Sequence, residues 1–353
     1  MVTPRYQNFQ MPAEWHRHSG TQLHWPSNRQ TWPGERLHRV EEVYLNIIEV
    51  FEKYEPIHLL VSDEPIHNYV LKLFKKRGIN LQQITIHKQP INDVWARDCG
   101  PIFIRRQKGS HEEFAITDWG YNAWGEKYPP FDDDNRIPKY FASKYGIKRF
   151  EPGMVLEGGS IDTNGNGILL TTESVLLNPN RNPELSKEEI EQRLKDYLGI
   201  TKVIWLKNGL AGDDTDGHID DLSRFLNENT ILTMVAEDPH DINYAVLEAN
   251  MDILRQATDQ RGNTFNIETL PLPKTRIEGT TVDGSEYVPA SYANFYIANG
   301  VVLVPTYDDR HDQKALNLME RYFPDRDVVG IPCADLVWGQ GSIHCVTQQL
   351  YGV

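Results

Sequence analysis

Apolar and polar positions follow a repeating order along the chain, which is clearest between residues 160 and 206. Ser160–Asp162 and Ile168–Leu177 predict two strands around a glycine-containing turn. Ser186 and Glu189 form a capping box that opens a helix, whose apolar positions recur at i, i+4 and i+8 as Ile190, Leu194 and Leu198. Val203–Leu206 predicts a closing strand. This region therefore predicts one strand–strand–helix–strand (ββαβ) unit.

The same order recurs elsewhere with less regularity. The other copies are helix Arg36–Lys53 with strand Ile57–Val61 and an extra pair Pro65–Arg77 and Ile84–His87; strands Ile102–Arg105 and Phe114–Asp118 with helix Pro138–Tyr145, running to Arg149; strands Ser223–Leu226 and Thr230–Val235, helix Asp241–Thr258 and strand Phe265–Leu270; and strands Asn294–Ala298 and Val301–Pro305 around an Asn-Gly hairpin turn, helix Asp312–Phe323 and strand Val328–Ile331. Five units of about 60 residues predict a closed, radially repeated α/β architecture. We therefore expect residues 1–353 to form one domain rather than two.

Charge and composition limit the class of partner. The 353 residues carry a formal net charge of −14, which argues against nucleic acid and anionic membranes and favours a small cation. The first twenty residues have no apolar h-region, and no apolar run is long enough to span a bilayer. Three cysteines indicate free thiols and a reducing cytoplasm. With no C-x-x-C or H-E-x-x-H pattern, we expect no metal site.

The most unusual segment is Asp213–Asp221, in which five carboxylates surround His218. Crowded carboxylates raise one another's pKa values or require a positive partner, and the run contains no Lys or Arg. A cationic ligand such as a guanidinium group is one explanation. A solvated acidic loop, or a metal site through Asp214, Asp216 and His218, are the alternatives. His218 and Asp220 would share a face if the segment were extended.

Three further positions are candidates for chemistry, each with an ordinary structural alternative. Cys345 follows a glycine-containing stretch that would display a thiol where a loop enters a strand, although buried structural thiols are commoner. Asp98 lies before a Gly-Pro turn and is predicted at a strand end, with Trp95 offering an aromatic face to a cation. The alternative is a surface turn with a buried Trp. Glu157 precedes two glycines that permit close backbone approach, or it is a solvent-exposed hairpin residue.

Residues 162–173 match the calcium-loop pattern of an EF-hand. That loop requires a helix on each side, whereas the apolar run that begins at Ile168 predicts a strand. Two of the acidic ligand positions are also amides, Asn164 and Asn166. We therefore predict a turn between strands.

Taken together, five motifs resemble the agmatine deiminase and bacterial peptidylarginine deiminase family of guanidino-group-modifying enzymes. They are W-x-R-D-x-G-P at 95–101, E-G-G-S at 157–160, D-x-D-G-H-I-D at 214–220, Y-x-N-F-Y-I-A-N-G at 292–300 and G-x-G-S-I-H-C-V-T-Q-Q at 339–349. The resemblance spans about Pro12 to Gln349. It implies a five-bladed α/β propeller (pentein) of pseudo-symmetric ββαβ modules, a central active site, no cofactor and a homodimer.

The same resemblance implies a role for each motif residue. Cys345 would be the nucleophile and His218 the general acid/base, while Asp98 and Asp220 would clamp the guanidinium and Glu157 would orient the histidine. Trp95 would line the substrate channel and Asn294 would lie close to the cysteine. Cys99 and Cys333 lack such a context, so neither is expected to be the nucleophile.

The implied reaction is hydrolysis of a guanidinium to a ureido group and ammonia through a covalent thiouronium intermediate. Agmatine is the favoured substrate, giving N-carbamoylputrescine on the way to putrescine, with Asp214 reading the distal ammonium. Peptidylarginine or free arginine is the alternative substrate; for the latter, Arg97 would receive the carboxylate unless it forms a structural salt bridge. A catalytically silent polyamine or guanidine binder is a second alternative. A cysteine hydrolase of amides is a third, although it would not explain so many carboxylates.

Overall fold

The computed structural model describes residues 2–274, 280–281 and 284–353, which form a mixed α/β fold. The strands are β1 (Gly20–His24), β2 (Ile57–Val61), β3 (Ile84–Lys88), β4 (Ile102–Lys108), β5 (His111–Thr117), β6 (Lys148–Phe150), β7 (Asp162–Thr163), β8 (Ile168–Thr172), β9 (Lys202–Leu206), β10 (Ser223–Asn227), β11 (Thr230–Val235), β12 (Asn266–Pro271), β13 (Tyr296–Ile297), β14 (Val301–Thr306), β15 (Asp327–Pro332) and β16 (Thr347–Leu350).

Helices cover the sheets and connect their strands. They are α1 (Arg36–Phe51), α2 (Glu64–Arg77), α3 (Ala96–Cys99), α4 (Ala123–Glu126), α5 (Ile137–Tyr145), α6 (Glu173–Leu176), α7 (Lys187–Leu198), α8 (Tyr244–Gln256), α9 (Asp312–Tyr322) and α10 (Ala334–Val337). The capping box predicted at Ser186 and Glu189 is present at the start of α7. The apolar face predicted for this helix is buried, so its helical period reflects packing against the sheet.

Within the described residues, the strands form five separate sheets. Four have three strands each, in the orders β4-β5-β6, β7-β8-β9, β10-β11-β12 and β13-β14-β15. Their first pair is antiparallel and their second pair, joined through a helix, is parallel. In the other sheet, of order β16-β1-β2-β3, the C-terminal strand pairs antiparallel with the N-terminal one, with Gly20 opposite Leu350. The two ends of the chain therefore complete one sheet.

Most predicted elements are confirmed, with boundaries shifted by a few residues, and four details are corrected. Ile168–Leu177 is not one strand, because Thr172 caps the amide of Val175 and starts α6. Gly158–Ser160 forms a 3-10 turn, so the strand predicted there begins only at Asp162. Asp98 lies in the one-turn helix α3 rather than at a strand end. Strands β1 and β16, which no unit of the sequence pattern included, pair across almost the whole chain.

The segment that resembles a calcium loop is the predicted turn between strands. β7 and β8 flank it and pair antiparallel, and Oδ1 of Asn164 accepts the backbone N–H groups of Asn166 and Ile168 at 2.9 and 3.1 Å. Gly165 takes a φ of 69° there, which glycine adopts without strain. The acid-and-amide spacing thus serves a tight turn.

In the part of the chain that the structure describes, no helix is long and apolar enough to cross a bilayer.

Candidate active site

Five segments that each precede the first strand of a sheet bring buried polar side chains together. They carry, in chain order, Asp98 on α3 before β4, Glu157 before β7, His218 and Asp220 before β10, Asn294 before β13, and Cys345 before β16. The positions are equivalent in the repeated units, although they lie far apart in sequence. One site is therefore assembled from five repeats, which explains why each motif alone is weak.

His218 lies against two carboxylates. Its Nδ1 is 3.7 Å from Oδ1 of Asp98 and 4.0 Å from Oδ1 of Asp220. Burial alone would lower the pKa of His218, but the charges of Asp98, Asp220 and Glu157 outweigh it and raise the pKa. Neither ring nitrogen has a hydrogen-bond partner among the described residues. The neighbouring carboxylates therefore favour the charged form of the ring, and both nitrogens are available to a ligand.

Local backbone explains how His218 and Asp220 meet. Ile219–Asp221 is a 3-10 turn with His218 at its N-terminal boundary, and not the extended segment considered in the sequence analysis. The backbone N–H of His218 donates to Oδ2 of Asp213 at 3.1 Å, which fixes the turn. The two side chains lie close together, with Nδ1 of His218 4.0 Å from Oδ1 of Asp220, and a turn rather than a strand brings them together.

Asp98 is fixed from two sides. Its Oδ2 accepts the indole N–H of Trp124 at 3.0 Å and its Oδ1 accepts the backbone N–H of Gly159, also at 3.0 Å. Burial, aided by the charges of Asp220 and Glu157, raises the pKa of Asp98 to about 6. A Cβ at Gly159 would lie 2.6 Å from Nδ1 of His218. The second glycine of E-G-G-S is thus required by the space that the histidine fills.

Cys345 is buried beside Asp220 and Asn294. Its Sγ lies 3.7 Å from Oδ2 of Asp220 and accepts a hydrogen bond from Nδ2 of Asn294 at 3.2 Å. Burial raises the pKa of the thiol well above its usual value, and the charges of Asp220 and Asp221 add to the effect. The thiol is therefore protonated until a positive group neutralises these carboxylates.

Asn294 contacts the cysteine segment through both ends of its amide. Besides the Nδ2 contact to sulfur, its Oδ1 accepts the backbone N–H groups of His344 and Cys345 at 2.9 and 3.3 Å. Nδ2 also donates to Oδ1 of Asp221 at 3.0 Å. The expectation that Asn294 lies close to the cysteine is confirmed, and these contacts suit positioning the thiol more than holding a substrate.

Glu157 is fully buried, but its hydrogen bond goes to a residue that sequence reasoning missed. Oε1 accepts Nε of Arg181 at 2.6 Å, while Oε2 has no partner within the described residues. Glu157 makes no hydrogen bond to His218 there, and it acts on the ring through its charge. Arg181 gave no sequence signal because it lies in the connection between α6 and α7.

Segment Asp213–Asp221 contains no Lys or Arg, but basic residues from other parts of the protein pair with one of its carboxylates. Asp216 pairs with Arg181 at 2.6 Å and with Lys127 at 2.8 Å, and these contacts outweigh burial to lower its pKa. Oδ2 of Asp214 accepts the hydroxyl of Tyr128 at 2.6 Å. A metal held by Asp214, Asp216 and His218 is therefore not supported. Only part of the run needs a cationic ligand.

A cavity of about 590 Å³ opens onto these groups. Trp95, Asp98, Trp124, Asp214 and Cys345 all line it. The ring of Trp95 packs against Trp124, with centroids 6.1 Å apart at 80°. A Cβ at Gly341 would lie 2.3 Å from the Trp95 ring. The cavity thus joins an aromatic wall to an acidic end, an arrangement suited to an alkyl chain that carries positive charge.

Arg97 points away from this cavity. Its side chain is buried and donates to the backbone carbonyl of His344 at 3.3 Å and to Oε1 of Gln349 at 2.8 Å. The alternative that Arg97 receives a substrate carboxylate is not supported, because its guanidinium hydrogen-bonds residues on either side of Cys345 in the chain and does not line the cavity.

Three buried side chains away from the cysteine, those of His24, Cys99 and Asp134, have donor atoms within 4.8 Å of one another. Each of these side chains already makes hydrogen bonds to other groups of the protein. His24 contacts the Asp93 carbonyl and the Gln22 amide, and Asp134 accepts two backbone N–H groups. Burial lowers the pKa of His24 to about 4 and raises that of Asp134 to about 8. These groups fit a neutral polar cluster better than a metal site.

The comparisons with known proteins agree with this geometry. The profile of the Porphyromonas-type peptidyl-arginine deiminase family matches residues 10–350. The chain belongs to that family. A relative from Latilactobacillus sakei, whose name assigns it provisionally to the agmatine deiminases, is 35% identical over 99% of this chain and 98% of its own length. The resemblance inferred from the motifs is therefore confirmed.

Two solved structures of the family extend the likeness to three dimensions. The agmatine deiminase of Enterococcus faecalis is 33% identical with a TM-score of 0.90, covering 99% of this chain and 98% of its own. The C. jejuni agmatine deiminase, solved with substrate bound, is 29% identical with a TM-score of 0.84, covering 97% and 96%. Family membership thus rests on the whole chain, and the mixed α/β fold is shared throughout.

The structure of this member of the peptidyl-arginine deiminase family also shows contacts to the motif residues that the sequence motifs did not reveal. Trp124, Arg181 and Asp213 position Asp98, Glu157 and His218 respectively. Trp124 lies in a turn where Ala123, Trp124 and Glu126 all have positive φ. The sequence signal for it was weak, since Asn-Ala-Trp-Gly marks a turn without indicating where its indole points.

Proposed function

We propose that this protein is an agmatine deiminase, a hydrolase of C–N bonds in linear amidines that converts agmatine and water to N-carbamoylputrescine and ammonia. One observation carries the proposal: a buried thiol, a histidine and two carboxylates, contributed by three of the repeats, meet beside one cavity. The names of the relatives and solved structures point to the same activity. Putrescine formation is the corresponding role.

The carboxylates of Asp98 and Asp220 are placed to orient the guanidinium group, which is a poor electrophile, for attack. A guanidinium placed between Asp98 and Asp220 pairs with Oδ1 of each, and these two atoms lie about 4 Å from Nδ1 of His218. Paired carboxylates fix the plane of the cation by charge-assisted hydrogen bonds. Its central carbon then faces Sγ of Cys345, so that positioning supplies much of the rate acceleration.

The covalent steps follow from this placement. The bound cation offsets the carboxylate charges, the Cys345 thiol releases its proton to solvent, and the sulfur forms a bond to the guanidinium carbon as the electrons of the C=N π bond move onto nitrogen. The protonated His218 gives its proton to one amino nitrogen of the tetrahedral adduct, the C–N bond breaks, and ammonia leaves. A thiouronium remains on sulfur. His218 then takes a proton from water, and the hydroxide adds to the thiouronium carbon. The C–S bond breaks as the hydroxyl proton of this second adduct passes to sulfur, which releases the ureido product and the Cys345 thiol.

Asp214 is the residue that we assign to the distal ammonium of agmatine. It lines the same cavity as Cys345, and its carboxylate is oriented by Tyr128. Trp95 and Trp124 provide the aromatic wall for the intervening methylene groups. Asp214→Asn should raise KM for agmatine while leaving turnover of an alkylguanidine without a distal amine nearly unchanged.

The fold that we propose is a single domain in the form of a five-bladed α/β propeller. Its support is that the described strands form five sheets, four of which have the same strand order, that β16 pairs back to β1 in the fifth, and that the segment before the first strand of each sheet contributes to the site. Closure of a ring in this way would leave the site on the central axis.

The test is parallel assay of ammonia and ureido release from agmatine, free arginine and a blocked arginine peptide, with Cys345→Ser as the inactive control and Cys333→Ser as the matched thiol control. Turnover of agmatine, lost only in Cys345→Ser, supports the proposal. Preferential turnover of arginine or the peptide would retain the chemistry and refute the substrate. Binding of agmatine without turnover would indicate a silent binder.

A further inference from the structure

His344, next to the proposed nucleophile, is buried between two carboxylates. Its Nδ1 lies 2.7 Å from Oδ2 of Asp220, and its Nε2 lies 2.8 Å from Oε2 of Glu14. Glu14 belongs to the segment before β1 and is separated from His344 by 330 residues. The two contacts therefore join the N-terminal segment to the carboxylate that faces the site.

Glu14 has two further partners that favour its ionised form. Glu14 accepts Nη2 of Arg224 at 2.6 Å and the backbone N–H of Ile297 at 2.7 Å. Burial alone would raise the pKa of Glu14, but Arg224 and His344 outweigh it and hold the pKa far below its usual value. An ionised carboxylate only accepts hydrogen bonds. Each ring nitrogen of His344 thus has a carboxylate oxygen within hydrogen-bond distance, and an imidazolium is the form of the ring that donates from both nitrogens.

The contact with His344 changes the pKa of Asp220. Burial would raise the pKa of Asp220, yet the hydrogen bond and charge of His344 outweigh it and lower the pKa. Asp98 and Asp221, which within the described residues accept no hydrogen bond from a histidine, have raised pKa values. Oδ2 of Asp220 is occupied by His344, while Oδ1 has no partner within the described part of the chain. One oxygen is thus anchored and the other is free to meet a ligand.

We propose that His344 is a positioning residue for the deiminase reaction: as a buried imidazolium it anchors Oδ2 of Asp220 and fixes the charge of this carboxylate, so that Oδ1 is presented to the guanidinium. This inference rests on the proposed function, because it names a residue that acts through Asp220 rather than on the substrate.

The charges around this pair determine its response to pH. From the side away from the cavity, it faces Glu14, Arg97, Arg224 and Asp162. From the cavity side, it faces Asp98, His218, Asp221 and Cys345. Among the described residues, the Asp220 side chain hydrogen-bonds the ring of His344 and the thiol of Cys345. Of these two partners only the histidine can carry a positive charge, so replacing His344 affects the charge of Asp220 before the more distant groups do.

The test compares His344→Gln with His18→Gln. His18 provides a matched control, since it is a buried histidine whose Nε2 contacts Glu55 at 2.8 and 2.9 Å outside the site. We expect His344→Gln to shift the acid limb of kcat/KM for agmatine to higher pH by about one unit, with about a tenfold rise in KM near pH 6. His18→Gln should lower thermal stability and leave the limb unmoved. An unmoved limb in His344→Gln, or the same shift in both variants, would overturn the proposal.

A second measurement needs neither turnover nor a folded variant. In protein labelled with ¹⁵N at histidine, the imidazolium predicts that the ring of His344 has both nitrogens protonated at neutral pH. A neutral ring at this position would refute the inference even if agmatine is turned over. Conversely, a doubly protonated ring in a protein that does not turn over agmatine would refute the proposed function and leave the charge assignment of His344 intact.

Discussion

The side-chain amide of Asn294 hydrogen-bonds both the sulfur and the backbone N–H of Cys345, at 3.2 and 3.3 Å. A single residue therefore sets the position of the thiol and the path of the chain that carries it. The same amide also reaches Asp221. Burial, aided by the charges of Asp220 and Asp213, raises the pKa of Asp221 well above its usual value, so Asn294 connects the thiol to a carboxyl whose charged form is disfavoured.

Removing this amide should loosen the nucleophile. Asn294→Ala deletes one contact to sulfur and two to backbone N–H groups, so we expect kcat/KM for agmatine to fall by about 100-fold. Asn294→Asp keeps the size of the side chain but adds a carboxylate beside the thiol, and its loss should be larger. Steady-state kinetics of both variants checks the order. Equal activity of Asn294→Asp and wild type would contradict the positioning role.

Asp98 should affect the thiol and catalysis in opposite directions. Its charge contributes to the raised pKa of Cys345, so Asp98→Asn should lower that pKa and speed alkylation of Cys345 by iodoacetamide at a fixed pH near 8. The same change removes a guanidinium partner and should abolish most turnover. Alkylation rates measured against pH, with the label mapped to Cys345, provide the test. Slower alkylation in the variant would show that the carboxylate is not acting through its charge.

The indole of Trp124 should matter through one hydrogen bond. Trp124→Phe keeps an aromatic wall but removes the N–H that Asp98 accepts at 3.0 Å. We expect about a tenfold loss in kcat/KM, since one hydrogen bond to a charged group is lost while the ring contact with Trp95 is kept. Trp124→Ala should lose more. If the two variants were equally active, the aromatic wall would contribute nothing.

A histidine pair outside the site should make the protein sensitive to acid. Nδ1 of His58 lies 3.0 Å from Nε2 of His87, and burial lowers their pKa values to about 4 and about 3. Unfolded histidines titrate near pH 6.5, so the unfolded chain binds more protons below that pH. The stability that the neutral pair contributes is complete above about pH 6.5 and is lost as pH falls towards about 4.

His87→Gln tests this contribution. The free energy of unfolding of the variant, from urea titrations at several pH values, should fall by about 2 kcal/mol less than that of wild type between neutral pH and about pH 4. His38→Gln, at an exposed histidine, is the control. A wild-type slope in His87→Gln would exclude the pair as the source.

The repeated fold could be predicted because local patterns specify it. The capping box at Ser186, the Asn299-Gly300 turn and the helical apolar period each depend on neighbouring residues. The pairing of β1 with β16 depends on residues more than 320 positions apart, and no local pattern announces it. The one-turn helix at Asp98 was also missed. The Asp98 side chain is held by contacts with Trp124 and Gly159, which lie far from it in the sequence, so no local pattern indicates this helix.

The site residues that could be predicted from the sequence lie in motifs of unusual composition, and those that could not lie in segments of ordinary composition. Cys345, His218, Asp98 and Asp220 lie in motifs whose composition no simple fold requires. Glu14 lies in an unremarkable N-terminal segment, and Arg181 lies in a connecting loop. Their roles come only from the fold, which brings Glu14 within 2.8 Å of His344 and Arg181 within 2.6 Å of Glu157.

The most direct measurement of the central claim is mass spectrometry of the protein acid-quenched during turnover of agmatine. Attack by Cys345 predicts an adduct whose added mass equals agmatine minus ammonia, located on the peptide that contains Cys345. Cys99 and Cys333 serve as internal controls and should remain unmodified. Turnover of agmatine with the adduct on either of these cysteines, or undiminished turnover by Cys345→Ser, would contradict the account.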